Sequence, residues 1–385
     1  MAFHSLINSL WRNHNSTFHP KETPISEQGE TIIGSYLLIL GWLSWIGNSV
    51  VIFVLYRQRT TLQASDYLTF NLALSDASIS LFGYSRGIFE IFNVLRDDGF
   101  LITSIWTCQI DGFFTLLFGL ASINTLAVIS VIRYIKGCHP CRAHCIGTGS
   151  IIVSLVLIWA AALFWSGSPL FGWGSYIDQM YGTCEIDWGR AMVSTIYKSY
   201  IVSVFVCCFF LPVSVMLFSY VSIINTVKSS RALAGVADLG ERQRKLERDV
   251  TRMSMVICTA FIIAWSPYAV ISMWSASGHA VPKLASVLCS LFAKSASFYN
   301  PIIYFGMNGK FRREVCVLLL CAGEKDSVKL KRILQRPPRE PAEEFREGPV
   351  PAFDSSPGLE SPVKGPQEWS YFPNSENSGY ECDRL

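Results

Sequence analysis

The sequence predicts an all-α membrane protein: a seven-transmembrane helix bundle with a short cytoplasmic amphipathic helix and a disordered C-terminal tail. Half of the 385 residues are hydrophobic and only 16% are charged, whereas a soluble domain carries about a quarter charged residues. Four stretches contain no Asp, Glu, Lys or Arg, and each is long enough to cross a hydrocarbon core, which needs roughly 20 apolar residues. These stretches are residues 31–56, 143–177, 199–227 and 253–280. A water-soluble enzyme is therefore excluded, and the net charge of +3 gives no support for a nucleic-acid partner.

Three further spans are interrupted by isolated ionisable residues. In lipid every backbone N–H and C=O must be paired within the protein, so apolar segments of this length form helices. The interrupted spans are 67–94, with Asp76, Arg86 and Glu90; 105–132, with Asp111; and 284–304, with Lys294. The predicted domains are an extracellular segment at 1–30, the bundle at 31–308, the amphipathic helix at 309–321 and the cytoplasmic tail at 322–385.

The distribution of basic residues predicts the orientation of the bundle, because short cytoplasmic loops carry an excess of Lys and Arg. With the N-terminus outside, the three inside loops hold 12 lysines and arginines and the three outside loops hold 3. Asn15, in Asn15-Ser16-Thr17, is a candidate glycosylation acceptor, which agrees with an extracellular N-terminus. We therefore expect a multi-pass protein of the cell membrane with a cytoplasmic C-terminus.

The segment after the last span is short, amphipathic and basic at its start, which predicts a helix at the cytoplasmic interface in contact with membrane lipid. Cys316 and Cys321 lie in it and are candidates for palmitoylation, with unmodified thiols as the alternative. From Glu324 onward the chain is rich in Pro, Glu, Ser and Lys, and this composition predicts disorder.

Lys294 is the most unusual residue of the seventh span. It lies ten residues before Tyr304, roughly 15 Å from the predicted cytoplasmic end at about 1.5 Å per residue. A lysine at the centre of a membrane helix costs about 2.5–3.5 kcal/mol, so an intramembrane lysine usually has a function. A structural ion pair is one alternative, and the depth of Lys294 disfavours a side chain that reaches the interface. The chemical hypothesis is a desolvated amine that attacks an aldehyde and forms a Schiff base.

A protonated Schiff base is a buried cation and requires a nearby anion. Asp111 is the first candidate, because it lies one turn after Cys108 with no lysine or arginine near it on that helix. Asp178, in the second outside loop, is the second candidate, with a solvated loop charge as its alternative. A carboxylate close to the nitrogen favours the charged form.

Cysteine positions predict one disulfide. Apart from Cys289 inside span seven, Cys108 and Cys184 are the only cysteines in outside loops or at outer helix ends. They face an oxidising compartment and can tether the second outside loop to the third span. Cysteines and histidines also cluster in the second inside loop. This cluster lacks the second pair of ligands that completes a structural zinc site, so no metal site is predicted. That cluster consists of Cys138, His139, Cys141, His144 and Cys145.

Several motifs, in order and one set per span, resemble those of rhodopsin-type G-protein-coupled receptors over about residues 31–321. The presence of Lys294 before the last motif narrows the resemblance to opsins, and it is most similar to the non-visual neuropsin, peropsin and retinal-isomerase group. The motifs are Asn48, Leu72-Ala73-Leu74-Ser75-Asp76, Arg133-Tyr134, Trp159, Pro212, Trp265-Ser266-Pro267-Tyr268 and Asn300-Pro301-Ile302-Ile303-Tyr304.

The resemblance implies that Lys294 binds retinal, in its 11-cis or all-trans form, as a Schiff base. Asp111 and Asp178 match the two positions at which opsins carry counterion carboxylates. The resemblance also implies a pocket with aromatic walls and one small residue, which suits a polyene. The residues implied to line it are Gly119, Phe209, Phe261, Trp265 and Tyr268.

The resemblance further implies a signalling site at the cytoplasmic end, in which Arg133 is held at rest and released on activation. Receptors of this class usually have an acidic residue before this arginine, whereas this chain has Ile132. The departure removes the nearest partner of Arg133 and should weaken the resting lock, and Glu247 or Asp249 could supply the missing anion. The signalling residues implied are Arg133, Tyr134, Glu247, Asn300, Pro301 and Tyr304.

The predicted function is that of a light-sensing, non-visual opsin in which photoisomerisation of retinal activates a heterotrimeric G protein. Arrestin and a receptor kinase are expected as further partners of the tail, and the protein is not expected to be an enzyme. The alternative, which Ile132 favours, is a retinal photoisomerase with weak or no G-protein signalling. A receptor for a diffusible ligand, in which Lys294 is only structural, would bind no covalent retinal.

Overall fold

The computed structural model describes residues 27–60, 62–92, 105–178, 184–233 and 241–321. These residues belong to the first of two compact units, Met1–Leu330, and the second unit, Lys331–Leu385, lies outside them. The predictions for Asn15 and for the tail at 322–385 also lie outside the described residues.

The described residues form seven membrane-spanning helices and an eighth, shorter helix, so the predicted seven-helix bundle is confirmed. The helices are α1 (Glu27–Arg57), α2 (Asp66–Ile91), α3 (Ile105–Cys138), α4 (Thr148–Gly167), α5 (Thr195–Ser203, the π-helical Val204–Phe210 and Leu211–Leu233), α6 (Glu241–Ala276), α7 (Lys283–Lys294 and Ala296–Met307) and α8 (Gly309–Cys321). Strands β1 (Tyr176–Asp178) and β2 (Cys184–Ile186) pair antiparallel. Short 3₁₀ helices cover Pro140–Cys145, Ser168–Phe171 and Trp188–Met192.

Five helical segments within the described ranges are long and apolar enough to cross a membrane on length and composition alone. The two spans outside this set are α2 and α7, and each has a feature that lowers its apolar length. Helix α2 carries Asp76 and Arg86 within its length, and α7 is interrupted at Ser295. Polar residues and a break inside a membrane helix therefore mark α2 and α7, and both helices contribute to the site described below.

The fourth predicted span, residues 143–177, is wrong at its C-terminal end. Helix α4 ends at Gly167, and a 3₁₀ turn begins at Ser168 with Pro169 in its first positions. Gly172 and Gly174 then adopt positive φ angles of 91° and 104°, a conformation that glycine accepts readily because it has no Cβ. The chain consequently leaves the helix and turns into β1.

The proline in α7 frees a backbone carbonyl, and the neighbouring helix α1 satisfies it. Pro301 has no N–H to donate to the Ser297 carbonyl four residues earlier. The Asn48 side chain donates to that carbonyl at 2.9 Å, and to the Ser44 carbonyl at 2.9 Å. Asn48 therefore links α1 to α7 through the Ser297 carbonyl, a group that lipid could not pair.

Packing closes the helices into a ring around α3. Helix α3 contacts α2, α4 and α5, and α7 contacts both α1 and α6. Many large apolar side chains face outward, and α4 exposes Ile152, Val153, Val156 and Leu157. Polar residues instead lie inside the bundle, where Asn48, Asp76 and Thr125 are buried. Apolar side chains outside and paired polar groups inside suit lipid as the surrounding solvent.

Candidate functional site

A cavity with about 970 Å³ of space, part of it open, lies among α3, α5, α6, α7 and the β-hairpin. The cavity wall is largely apolar and aromatic, and its described lining contains one amine, that of Lys294, and one carboxylate, that of Glu185. Lys294 and the five residues that the resemblance implied as the pocket lining all line it, whereas Asp111 and Asp178 are not in the described lining; the five are Gly119, Phe209, Phe261, Trp265 and Tyr268.

Trp265 forms the aromatic centre of the wall. Its ring stacks on Phe261 with centroids 5.6 Å apart and meets Tyr268 edge-on at 6.0 Å. Opposite the ring lies Gly119, at which a Cβ would be 3.9 Å from Trp265 Cη2. The indole Nε1 is buried with no hydrogen-bond partner among the described residues. Because Pro267 follows two residues later in α6, a force on this ring acts close to a point where the helix is weakened.

Lys294 lies at the break in α7. Its Nζ donates to the Gly83 carbonyl at 3.0 Å and lies 6.0 Å from the centroid of the Tyr84 ring. The Phe298 N–H bonds to the Ser295 carbonyl, which leaves the Lys294 carbonyl to accept from the Tyr84 hydroxyl at 2.6 Å. Helix α2 thus fixes both ends of this residue, which also lines the cavity.

Asp111 is buried on α3, close to the hairpin. One of its oxygens, Oδ2, accepts from the Cys184 N–H at 3.3 Å. Asp111 and Glu185 both interact electrostatically with Lys294. No carboxylate lies within ion-pair distance of the Lys294 ammonium in the part of the chain that the structure describes.

Asp178 has a different partner from the one expected. Its carboxylate forms an ion pair of 2.8 Å with Arg86, whose side chain is only 8% exposed. Asp178 is absent from the described cavity lining, so its role as a second counterion stays a prediction. The side chain of Glu90, four residues after Arg86 on α2, lies outside the described residues.

The predicted disulfide between Cys108 and Cys184 is confirmed. It ties β2 to the start of α3, and the Arg86 guanidinium also contacts the Cys184 sulfur. On the paired strand, the Tyr176 hydroxyl donates to the Ser166 carbonyl at 2.7 Å. Burial raises the pKa of the Tyr176 hydroxyl, which therefore stays a neutral donor. The hairpin is thus fixed to α3 and to α4, over the cavity.

Glu185 is the residue of this site that the sequence analysis missed. Both its carboxylate oxygens are engaged: Oε2 accepts from the Tyr268 hydroxyl at 2.7 Å, and Oε1 accepts from the Ser290 hydroxyl at 2.5 Å. The one available signal was its place directly after Cys184, the cysteine predicted to be tethered to the third span.

A second cavity, with about 740 Å³ of space, lies at the opposite end of the bundle and is lined by Arg133 and Tyr304 among others. Arg133 pairs with Glu247 at 3.2 Å, and Lys136 shares this carboxylate at 3.4 Å. Asp249, the other acidic candidate, is exposed. Glu247 on α6 thus supplies an anion to Arg133, while the adjacent Ile132 is buried in the apolar core.

The other residues predicted to take part in signalling lie in the bundle interior or at its surface. Asn300 donates to Asp76 Oδ2 at 2.6 Å, and the Ser122 hydroxyl donates to Oδ1 at 2.7 Å. Pro301 packs closely against α1, where a Cβ at Gly47 would be 2.9 Å from its ring. At the surface, the Tyr134 hydroxyl and His139 are hydrogen-bonded at 3.0 Å.

The candidate modification and metal residues are less informative. No group of three or more His, Cys, Asp or Glu side chains is arranged to hold a metal among the residues described, which include the cysteines and histidines of residues 138–145. Cys316 is a partly exposed free thiol on α8. Cys321 is the last residue of that helix, and its side chain lies outside the described part.

Residues 47–304 match the family model of the 7 transmembrane receptor (rhodopsin family). Human Opsin-5 is 36% identical to this chain over 296 residues, which cover 76% of the chain and 82% of that protein. The chain belongs to the opsins. This opsin is therefore a light-sensing receptor and a multi-pass membrane protein, and the predicted family is confirmed.

Two further comparisons agree with this assignment. The human visual pigment-like receptor peropsin is 31% identical to the opsin over 301 residues, covering 77% of this chain and 86% of that protein. Both relatives agree with the predicted similarity to the non-visual neuropsin and peropsin group. The crystal structure of squid rhodopsin superposes with a TM-score of 0.70 over 85% of this chain and 97% of that one; at 24% identity it supports the fold alone.

Proposed function

We propose that this opsin binds retinal as a Schiff base on Lys294 and that light on this pigment activates a heterotrimeric G protein. The observation that carries the proposal is an amine at the wall of a largely apolar, aromatic cavity. The largely apolar and aromatic lining suits a polyene aldehyde, since sites for small organic ligands are lined mainly by hydrophobic and aromatic side chains.

The covalent step needs only the amine and an aldehyde. The neutral Lys294 nitrogen would hold the aldehyde covalently: a C=N bond would replace the C=O bond and the two N–H bonds of the amine, and the oxygen would leave as water. When bound, retinal supplies the absorption of light and a change of shape on isomerisation. Asp111 is buried and interacts electrostatically with Lys294. It is the first candidate for the carboxylate that stabilises positive charge on the nitrogen.

The protein then requires two packings whose balance the bound isomer changes. Trp265 is the contact that suits this role, because it lines the cavity close to Pro267 in α6. The same helix carries Glu247, the partner of Arg133 at the other end. A change in α6 that separates Glu247 from Arg133 would release the arginine and open the second cavity to the G protein.

A retinal photoisomerase is the second candidate function. The observation that favours it is Ile132, which places an apolar residue beside Arg133 where receptors of this class usually have an acid. The ion pair with Glu247 gives Arg133 a resting partner and favours the receptor. The isomer bound in darkness and the G-protein turnover in light distinguish the two functions.

The first experiment is a dark-minus-light absorption spectrum of the purified full chain after incubation with 11-cis or all-trans retinal. Lys294→Ala is compared with Lys198→Ala, which removes an exposed lysine of α5. We expect a light-sensitive band in the native protein and in Lys198→Ala, and none in Lys294→Ala. Folded native protein that gives no band with either isomer would contradict the proposal and favour a receptor for a diffusible ligand.

We also propose that the end of the bundle with the β-hairpin is extracellular and that the Arg133 end is cytoplasmic. The bias of 12 against 3 basic residues supports this orientation, as does a disulfide at the hairpin. Glycosylation of Asn15, palmitoylation of Cys316 and Cys321, and binding of arrestin and a receptor kinase to the tail remain proposals on sequence alone.

A further inference from the structure

Glu185 presents a carboxylate to the cavity that neither of the expected counterion positions accounts for. It lies at the centre of β2, whose neighbouring residues Cys184 and Ile186 are buried. Because the disulfide holds this strand against α3, the position of Glu185 is fixed from both sides. A charged group with a fixed position at a cavity wall is suited to act on a charge inside the cavity.

Hydrogen bonds hold the Glu185 carboxylate in place at both oxygens. The hydroxyls of Tyr268 and Ser290 donate to these oxygens at 2.7 and 2.5 Å. Both donors are uncharged, so they leave the negative charge uncompensated. No lysine or arginine forms an ion pair with Glu185 within the described ranges.

The connection to Lys294 is direct along α7. Ser290 lies four residues before Lys294 in the same helical segment, and side chains four apart lie on one face of a helix. Both residues and Glu185 line the same cavity. The charge interaction between Glu185 and Lys294 agrees with this placement.

Asp111 on α3 and Tyr84 on α2 are further titratable groups close to Lys294, and Tyr176 on β1 and Tyr268 on α6 line the same cavity. Asp178 is paired with Arg86. Asp111 interacts electrostatically with Arg86 as well as with Lys294. Among the described residues, Asp111 and Asp178 thus each interact with Arg86, whereas no arginine forms an ion pair with Glu185.

We propose that Glu185, held by Tyr268 and Ser290, is a counterion that stabilises positive charge on the Lys294 nitrogen together with Asp111. The inference rests on the proposed attachment of retinal to Lys294. It assigns to Glu185, the second residue of β2, a role that was predicted only for Asp111 and Asp178.

The test is a pH titration of the dark pigment, formed from the full chain and the retinal isomer that it accepts. The visible band of the protonated nitrogen converts to an ultraviolet band when the proton is lost, and the pH midpoint of this conversion is measured. We compare Glu185→Gln with Asp187→Asn, which removes a carboxylate two residues away that pairs with Arg190 at 3.2 Å. Lys294→Ala serves as the control without the attachment.

We expect Glu185→Gln to lower the midpoint by about one pH unit or more, since the loss of a nearby opposite charge changes such equilibria by about 1–3 units. Asp187→Asn should titrate like the native pigment. Glu185→Asp keeps the charge but withdraws it by one methylene, so its midpoint should lie between those of the native pigment and Glu185→Gln. A second readout is the pH dependence of the rate at which the apoprotein forms pigment, which should move to lower pH in Glu185→Gln.

A Glu185→Gln pigment with the native midpoint would overturn the inference. If Glu185→Gln does not fold, Glu185→Asp decides, because a native midpoint in that variant would equally contradict it. Absence of any Lys294-dependent band in the native protein is a different result, since it contradicts the proposed function itself. The two failures are therefore distinguishable in one series of spectra.

Discussion

Gly174→Ala should destabilise the protein more than Gly172→Ala, although the two glycines share the same type of backbone. Both precede the β-hairpin, and their φ angles are 104° and 91°. A Cβ at position 174 would lie 2.6 Å from Cδ1 of Tyr200, whereas a Cβ at position 172 would meet nothing within 4 Å. The pair therefore separates the cost of the backbone conformation from the cost of the contact.

The magnitudes follow from these two terms. A left-handed conformation costs an alanine roughly 1–2 kcal/mol, and this is the whole expected effect of Gly172→Ala. Overpacking adds about 1–3 kcal/mol at Gly174, because Tyr200 is fully buried and its hydroxyl is bonded to the Trp165 carbonyl at 2.9 Å. The expected totals are about 1–2 kcal/mol for Gly172→Ala and about 2–5 kcal/mol for Gly174→Ala.

Thermal unfolding of the purified chain in one detergent, at one scan rate, measures the difference. Each kcal/mol changes Tm by roughly 2–4 °C in domains of about 150–250 residues, so Gly174→Ala should unfold at least about 2 °C below Gly172→Ala. A fixed scan rate is needed because such proteins often unfold irreversibly. Equal Tm values for the two variants would refute the argument from the Tyr200 contact.

Two further predictions concern the ends of the signalling path. Glu247→Gln removes the partly exposed partner of Arg133. If this ion pair stabilises the resting state by about 1 kcal/mol, its loss should raise G-protein activation in darkness roughly fivefold. Asp249→Asn should have little effect, and equal dark rates in the two variants would contradict the role of the ion pair. At the cavity, Gly119→Ala should form pigment in near-native yield because the new Cβ makes an ordinary contact with Trp265. Gly119→Leu reaches into the cavity and should lower the pigment yield several-fold, and an unchanged spectrum and yield would show that this space is not used.

The sequence by itself determined the membrane spans, the unusual lysine and the disulfide. Each span is set locally, since a chain in lipid must pair its backbone groups within the same helix, and uncharged stretches of that length are visible without knowledge of their neighbours. The break before β1 escaped this reasoning, because Gly172 and Gly174 change the chain direction without adding charge. The pocket residues, such as Gly119 and Phe209, were identified only through family resemblance.

Only the tertiary structure decided which charges meet. Glu185 contacts Tyr268 and Ser290, which are 83 and 105 positions away in the chain, and Asp178 pairs with Arg86, 92 positions away. No periodicity in the sequence encodes such distances, because side chains are brought together by the packing of helices and by the disulfide that fixes the hairpin. The identity of the membrane helices is thus a local property of the chain, whereas the electrostatics around Lys294 is a property of the assembled bundle.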